Sequence, residues 1–544
     1  MSATPQAASA SAPAAGRDFD VIEMEVYSNR FMSITDEMGL SLVRSSFSTN
    51  IKERKDCSVG LFDGQGRLIV QASHIPVHLG SLQGGVQAVL ETFAPDQIRP
   101  GDAFICNDPY LAGGSHTPDI SILTPVFIEG RLAFFAANLG HHSDVGGGVP
   151  GSCDPSQTSI FQEGLRIPAL KIVREGVLDD QIVQLVATNS RDPLERVLDL
   201  KVQIATNEIG RRKLEVLCET FGLGVVERAV GDLIAYSEAR LRKRIAELPD
   251  GTFSGEAWID GDGVGHEPCR IAVAVTVAGE TLTFDFTGTA PQARGAVNIP
   301  RTALDATVYY CIKALLDPTL PPNDGMTRPV RIIAEEGTLV RPAFPAAVGI
   351  RSTSCQRVVR AVFQAFAGVL PAQKVFASSA DMNATMIFFG PHKTRAGNFV
   401  YLETVGGGAG ASQAHPGMNG IQVHITNTSN LPTEALEIEY PLMVRRYALA
   451  SGSGGAGAQP GGMGIIREVV AMTDGIRANA SCEGLRTPAE GVFGGGAGEV
   501  AHLKLCPAGG PETEHDISIT NVVLNRGDAL SLQTPGGGGF GPAS

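Results

Sequence analysis

Two glycine-flanked segments hold the side chains of this chain best suited to chemistry. The first reads Gly113-Gly114-Ser115-His116-Thr117-Pro118-Asp119-Ile120 and the second Asn138-Leu139-Gly140-His141-His142-Ser143-Asp144-Val145-Gly146-Gly147. Together they place three of the eleven histidines and two aspartates within 29 residues. Imidazole with carboxylate is the donor set of zinc, manganese or ferrous iron, and too few thiols lie nearby for a sulfur-rich site. A single histidine in such a turn is more often a cap on a strand end. An HxxD followed by an HHxD is a constellation, and it points to a metal.

The elements between the two segments would bring them together. Residues 122–127 and 132–137 are apolar, rich in β-branched and aromatic side chains, and separated by a turn containing Glu129-Gly130, the pattern of a hairpin. The start of one strand and the end of its antiparallel partner lie side by side, so His116 and Asp119 should meet His141, His142 and Asp144 at one end. Side chains alternate across a strand, so His141 and His142 point to opposite faces unless the chain turns. One is expected to be a ligand and the other to support it.

Length and composition set wider bounds. At 544 residues the chain exceeds one simple core, and about three or four domain-sized units are expected. A formal charge of -14 without a basic run argues against nucleic acid as a partner. Residues 1–16 form an Ala/Ser/Pro stretch without the apolar core of a signal peptide, and are expected to be disordered. No window approaches 18 uninterrupted apolar residues, so no membrane span is expected. Nine scattered cysteines form no CxxC pair, which suggests reduced thiols and a cytoplasmic protein.

Along the chain, residues 20–43 and 79–93 carry helical stripes, and Asp63-Gly64-Gln65-Gly66 turns a hairpin between residues 58–62 and 67–71. Residues 193–248 read as a helical pair broken near Phe221-Gly222-Leu223-Gly224, with a basic, solvated face, serving as a spacer or an interface. A third hairpin spans residues 270–277 and 281–287, and apolar helices are expected at residues 302–316 and 356–367. The 65 glycines concentrate late, in Gly406 to Gly410, Ser451 to Gly457, Gly461 to Gly464, Gly494 to Gly498 and Pro535 to Gly541. None forms a Walker A or a GxGxxG between strand and helix, so tight turns and close backbone approach are expected over phosphate cradles. The fold class is therefore mixed α/β (α+β) and multi-domain. Its expected parts are a tail at 1–16, a metal-bearing α/β unit at 17–190, a helical segment at 191–250 and a glycine-rich α+β region at 251–544.

Several further motifs occur in the same order as in a known family. They are Arg54-Lys55-Asp56-Cys57-Ser58-Val59-Gly60-Leu61-Phe62-Asp63, Pro76-Val77-His78-Leu79-Gly80-Ser81, the GGSHTPD and GHHSDVGG elements, Gln162-Glu163-Gly164-Leu165-Arg166-Ile167-Pro168, and Thr534-Pro535-Gly536-Gly537-Gly538-Gly539-Phe540-Gly541. With these, the chain from about residue 18 to its end resembles the hydantoinase B family. That family includes the B-type components of ATP-dependent hydantoinases and lactamases, the corresponding half of 5-oxoprolinases, and the α-type components of acetone and acetophenone carboxylases.

The resemblance implies a division of labour. A separate A-type partner, the hydantoinase A-type ATPase with an actin-like fold, would bind ATP and phosphorylate the carbonyl oxygen of a cyclic amide. The two would assemble as an α2β2 or higher hetero-oligomer. The family's metal ligands fall on His116, Asp119 and His141, with Asp56 also expected at the site and His142 and Asp144 beside them in catalytic roles. The chemistry is coherent, because an unstrained amide is nearly inert to water until its oxygen becomes a leaving group. A divalent metal lowers the pKa of bound water from about 15.7 toward about 7 and so presents hydroxide at neutral pH. A cyclic-amide hydrolase is favoured on length. A biotin-independent ketone carboxylase using bicarbonate, and a non-catalytic scaffold for the ATPase, are the alternatives.

Overall fold

The computed structural model describes residues 20–72, 75–380 and 384–543; the tail expected at residues 1–16 lies outside them. Asp20 caps the first helix, α1 (Val21–Ser45), by accepting the N–H groups of Ile22 and Glu23 at 3.0 Å. Its buried stripe of Met24, Tyr27, Phe31, Ile34, Met38 and Leu42 follows the helical period. A short helix α2 (Thr49–Lys52) leads into β1 (Cys57–Asp63) and β2 (Leu68–Gln71), followed by α3 (His78–Thr92). Then come β3 (Ala103–Cys106), β4 (Asp119–Ile128), β5 (Arg131–His141), β6 (Leu170–Arg174), β7 (Val177–Leu178), α4 (Asp180–Thr188), α5 (Pro193–Phe221) and α6 (Leu223–Ala246).

These strands form one seven-stranded antiparallel sheet in the order β2-β1-β5-β4-β3-β6-β7. Both faces of its centre are covered, which is why β5 reads as a continuous apolar run. Phe134 packs with Phe31, Met38 and Leu214 under α1 and α5, while Phe135 packs with Leu82, Val86 and Phe104 under α3. The helical pair is thus a cover for the sheet. Buried amides join α5 to the hairpin: Asn138 Nδ2 donates to Gln203 O and Asn207 Oδ1, and Gln203 Nε2 donates to Ile120 O. The basic face is paired in part, with Arg211 on Glu208 and Arg240 on Asp317.

The chain continues through β8 (Gly251–Ile259), β9 (Cys269–Ala278), β10 (Thr281–Asp285), α7 (Arg301–Leu316), β11 (Val330–Ile333) and α8 (Arg351–Ala367). The sheet β11-β10-β9-β8 shares a core with α7 and α8 through Val273, Phe284, Val308, Val358 and Phe366. Helix α8 begins at Arg351, ahead of the expected Gln356, and this extra turn reaches the candidate site. Beyond it lie β12 (Ala384–Pro391), β13 (Asn398–Val405), α9 (Thr433–Glu439), β14 (Leu442–Leu449), β15 (Ile465–Ala471), β16 (Ile476–Ser481), β17 (His502–Cys506), β18 (Thr513–His515), β19 (Ile519–Leu524) and β20 (Ala529–Gln533). Two sheets, β13-β12-β16-β19 and β14-β15-β20-β17-β18, enclose Phe388, Tyr401, Val469 and Leu532. The fully buried Arg467 on β15 donates two bonds, at 2.9 and 3.0 Å, to Glu403 on β13 and ties the sheets together.

The late glycines serve mainly as close-packed backbone. Gly537 N donates to Gly462 O, Gly462 N to Ala409 O, Gly455 N to Gly537 O and Gly539 N to Gly496 O, so segments distant in sequence run against one another with no side chains between them. A Cβ on Gly537 would stand 2.0 Å from Ala409 O. Gly537→Ala is therefore expected to cost about 3 kcal/mol or more. Gly231→Ala makes the opposite case, because a Cβ in that part of α6 meets nothing within 4 Å, and should stabilise by up to about 1 kcal/mol. Urea denaturation of both variants checks this; a neutral Gly537→Ala would refute the packing role.

Candidate metal centre

The loop carrying His116 is held open and rigid by backbone contacts. Asn107 Nδ2 donates to Thr117 O and Leu165 O, and a Cβ on Gly114 would stand 2.0 Å from Asn107 O. Asp119 follows as the first residue of β4 and pairs in register with His141, the last residue of β5. The His116 and His141 ring centroids are 5.0 Å apart. The backbone carbonyl of Asp56, just before β1, accepts the His141 backbone N–H at 3.0 Å. Asp56, His78, His116, His141, Cys153 and Arg351 line one small cavity of about 60 Å³, whose remaining wall includes Thr385, Leu402, Thr404 and Thr426.

The hydrogen bonding leaves specific atoms free. His116 Nδ1 lies 3.0 Å from Gly349 O and donates to it, which puts the lone pair on Nε2. That Nε2 is 3.1 Å from Asp119 Oδ1; with the ring proton on Nδ1 the two are both acceptors and cannot bond each other, and neither buried atom has another partner. Asp119 Oδ2, in contrast, is saturated by Ser115 Oγ at 2.5 Å and Arg351 Nη2 at 2.7 Å. Two orphaned acceptors side by side in a buried site fit a cation between them. His141 Nδ1 is 3.3 Å from the amide of Asn50, whose oxygen is taken by Arg54.

Burial pushes His116 down, reinforced by the nearby Arg351 guanidinium, and pushes His141 down to about 3. Both imidazoles are neutral at pH 7. Burial alone would raise Asp119, but His116, Arg351 and His78 around it outweigh that effect, and the carboxyl is held well below the usual range. Since His116 is itself neutral, the Arg351 ion pair is what holds Asp119 anionic. Neutral imidazoles and an anionic carboxylate are the protonation states in which these groups bind a metal.

Ligand atoms of His116, His141 and Cys153 also lie within 4.8 Å of one another. The Cys153 sulfur is 3.8 Å from His116 Nδ1, the nitrogen already committed to Gly349. Burial also raises its thiol pKa, which disfavours the thiolate a metal needs. Geometry therefore favours the Nε2 side of His116, with Asp119.

Of the six residues singled out in the sequence, His116, Asp119, His141 and Asp56 come together. His142 and Asp144 do not line the cavity. His142 Nε2 is 2.9 Å from Gln203 Oε1 on α5, the opposite direction from His141, as strand alternation requires. Asp144 spends both carboxylate oxygens on structure, accepting from Gly146 N, Gly151 N and Arg191. Two residues not singled out complete the site. His78, at the start of α3, places Nε2 3.6 Å from Asp56 Oδ1 and 3.8 Å from Asp119 Oδ1. It belongs to the Pro76-to-Ser81 motif but stands alone in sequence, with no second donor beside it. Arg351 has no local signal at all.

Arg351→Met is expected to weaken metal binding about 10- to 100-fold, the usual effect of removing a group that orients a ligand. Competition with a chelator measures this. Unchanged affinity would show that the guanidinium is not needed to hold Asp119 charged.

Several antiparallel sheets with a buried His/carboxylate cavity at one end of the largest define the class: a multi-sheet α+β protein built to hold a polar centre. The chain belongs to the Hydantoinase B/oxoprolinase family, whose description matches residues 20–543. It is 34% identical to 5-oxoprolinase 1 of Arabidopsis thaliana over 96% of its own length, but spans only 42% of that protein. A protein of Pseudomonas sp. (strain NS671), named as the B component of a D-/L-hydantoinase, is 32% identical, with 96% of this chain and 90% of that one covered. Among solved structures, the ATP-dependent caprolactamase from Pseudomonas jessenii superimposes with a TM-score of 0.88 at 28% identity, covering 97% of this chain and 92% of that one. An acetone carboxylase shares the fold, at TM-score 0.87 and 17% identity, over 96% of this chain and 76% of that one. No helix among the described residues is long and apolar enough to cross a membrane, and all nine cysteines are unpaired.

Proposed function

We propose that this chain is the metal-bearing, B-type component of an ATP-dependent cyclic-amide hydrolase of the hydantoinase, oxoprolinase or lactamase type. The observation that carries the proposal is the pair of orphaned buried acceptors, His116 Nε2 and Asp119 Oδ1, beside His141. The names borne by the relatives support the reaction class, and the length of the 5-oxoprolinases beyond the part matched here is where we place the activating half. In this reading ATP is used by an A-type ATPase partner, which phosphorylates the amide oxygen. The two components form an α2β2 or higher hetero-oligomer.

Within the site, His116, Asp119 and His141, with Asp56 as a fourth, would hold a divalent zinc, manganese or iron ion. When bound, such an ion supplies Lewis-acid activation of water at neutral pH. His78, with Nε2 3.6 Å from Asp56 Oδ1, is placed to hold and pass the proton released as the activated carbonyl carbon is attacked. Arg351 keeps Asp119 anionic. The apolar Ile75, Val77 and Leu402 in the wall limit water around the reacting centre. His142 and Asp144 act at one remove, His142 by fixing the end of β5 on α5 and Asp144 by fixing the loop that precedes Cys153.

The test is product and phosphate release from the co-expressed pair, offered hydantoin, N-methylhydantoin, 5-oxoproline, a larger lactam and, separately, a simple ketone, each with and without bicarbonate. ATP-dependent ring opening that ignores bicarbonate is expected. Product that requires bicarbonate would replace this reading with ketone carboxylation, which the shared fold of acetone carboxylase makes the natural competitor.

A further inference from the structure

We propose that Glu163 is a positioning residue for the metal centre, acting on His116 through the Gly349 carbonyl. The inference rests on the metal reading of the cavity and extends it to a group outside the cavity wall. Glu163 is fully buried, and its Oε1 accepts the backbone N–H groups of both Val348 and Gly349, at 2.7 and 2.6 Å. The Gly349 carbonyl takes the His116 Nδ1–H at 3.0 Å. At its other end, the Glu163 backbone carbonyl accepts Thr117 Oγ1 at 2.6 Å. Glu163 therefore bridges the two segments that must stay in register, the loop bearing His116 and the strap bearing its acceptor.

The strap is short and carries a second task. Two residues after Gly349, Arg351 grips Asp119 Oδ2, so residues 348–351 orient two of the proposed ligands. Gly349 runs close against the carboxyl, for a Cβ there would lie 3.1 Å from Glu163 Oε1. Without the carboxyl, two buried N–H groups lose their acceptor and the strap can relax away from His116. The imidazole would then lose the bond that fixes its tautomer and leaves Nε2 free. Burial pushes the Glu163 carboxyl up to about 8, against the opposing pull of the Gly349 and Val348 N–H groups. It is largely protonated at pH 7, so glutamine reproduces both its charge and its acceptor oxygen.

The experiment loads metal-free wild type, Glu163→Gln, Glu163→Ala and Glu163→Asp with cobalt(II). Three quantities are read: the cobalt ligand-field spectrum, the dissociation constant by chelator competition, and thermal unfolding of the metal-free proteins. Glu163→Gln should bind within about threefold of wild type with the same spectrum. Glu163→Ala should bind about 10- to 100-fold more weakly with an altered spectrum. Glu163→Asp, whose shorter arm cannot reach both N–H groups, should move in the same direction and serves if the alanine variant does not fold. Reduced thermal stability with an unchanged dissociation constant and spectrum in the alanine or aspartate variant would overturn the positioning role and leave the metal centre standing. A wild type that takes up no cobalt would overturn both.

Discussion

Replacing His116 or Asp119 by alanine is expected to strip the divalent metal from the purified protein and to lower ring opening at least about a thousandfold. His116 Nε2 and Asp119 Oδ1 are the two atoms left unsatisfied in the buried site, 3.1 Å apart. Removing either would break the proposed shell of three or four protein ligands. Activation of water by a cation supplies several kcal/mol of transition-state stabilisation, and about 4 kcal/mol already corresponds to a thousandfold. Elemental analysis alongside turnover checks this. Full metal content in both variants would place the centre elsewhere.

The second large effect separates two adjacent histidines. His141→Ala should abolish product while leaving some substrate-dependent phosphate release, because activation is assigned to the partner and an activated amide decays unproductively in water. His142→Ala should lose only about 10- to 100-fold, since its ring meets Gln203 on α5 and supports the end of β5. Phosphate and product measured in parallel decide between them. A metal-free His142→Ala beside a fully active His141→Ala would reverse the assignment.

Much of the site's frame was legible because it is local. The hairpin followed from apolar strands around Glu129-Gly130, and antiparallel pairing set Asp119 opposite His141. Strand alternation anticipated that His141 and His142 would diverge, though not which one faces the cavity. That choice depends on α5 lying on the His142 side, a tertiary fact. Arg351 and Gly349 were invisible for a similar reason. They reach His116 and Asp119 across more than 230 positions, and Arg351 sits in a turn of α8 that the apolar pattern from Gln356 onward did not include. The glycine runs predict turns and close approach alike. Close approach dominates, because backbones that hydrogen-bond directly across the 406–410, 453–464 and 535–541 segments leave no room for a Cβ.

The most direct test of the metal assignment is anomalous diffraction at the metal edge from crystals of the protein grown with manganese or zinc. The expected result is a peak bonded to His116 Nε2, Asp119 Oδ1 and a ring nitrogen of His141. A peak bonded instead to Cys153 Sγ on the Nδ1 side of His116, or no peak in the cavity, would contradict it.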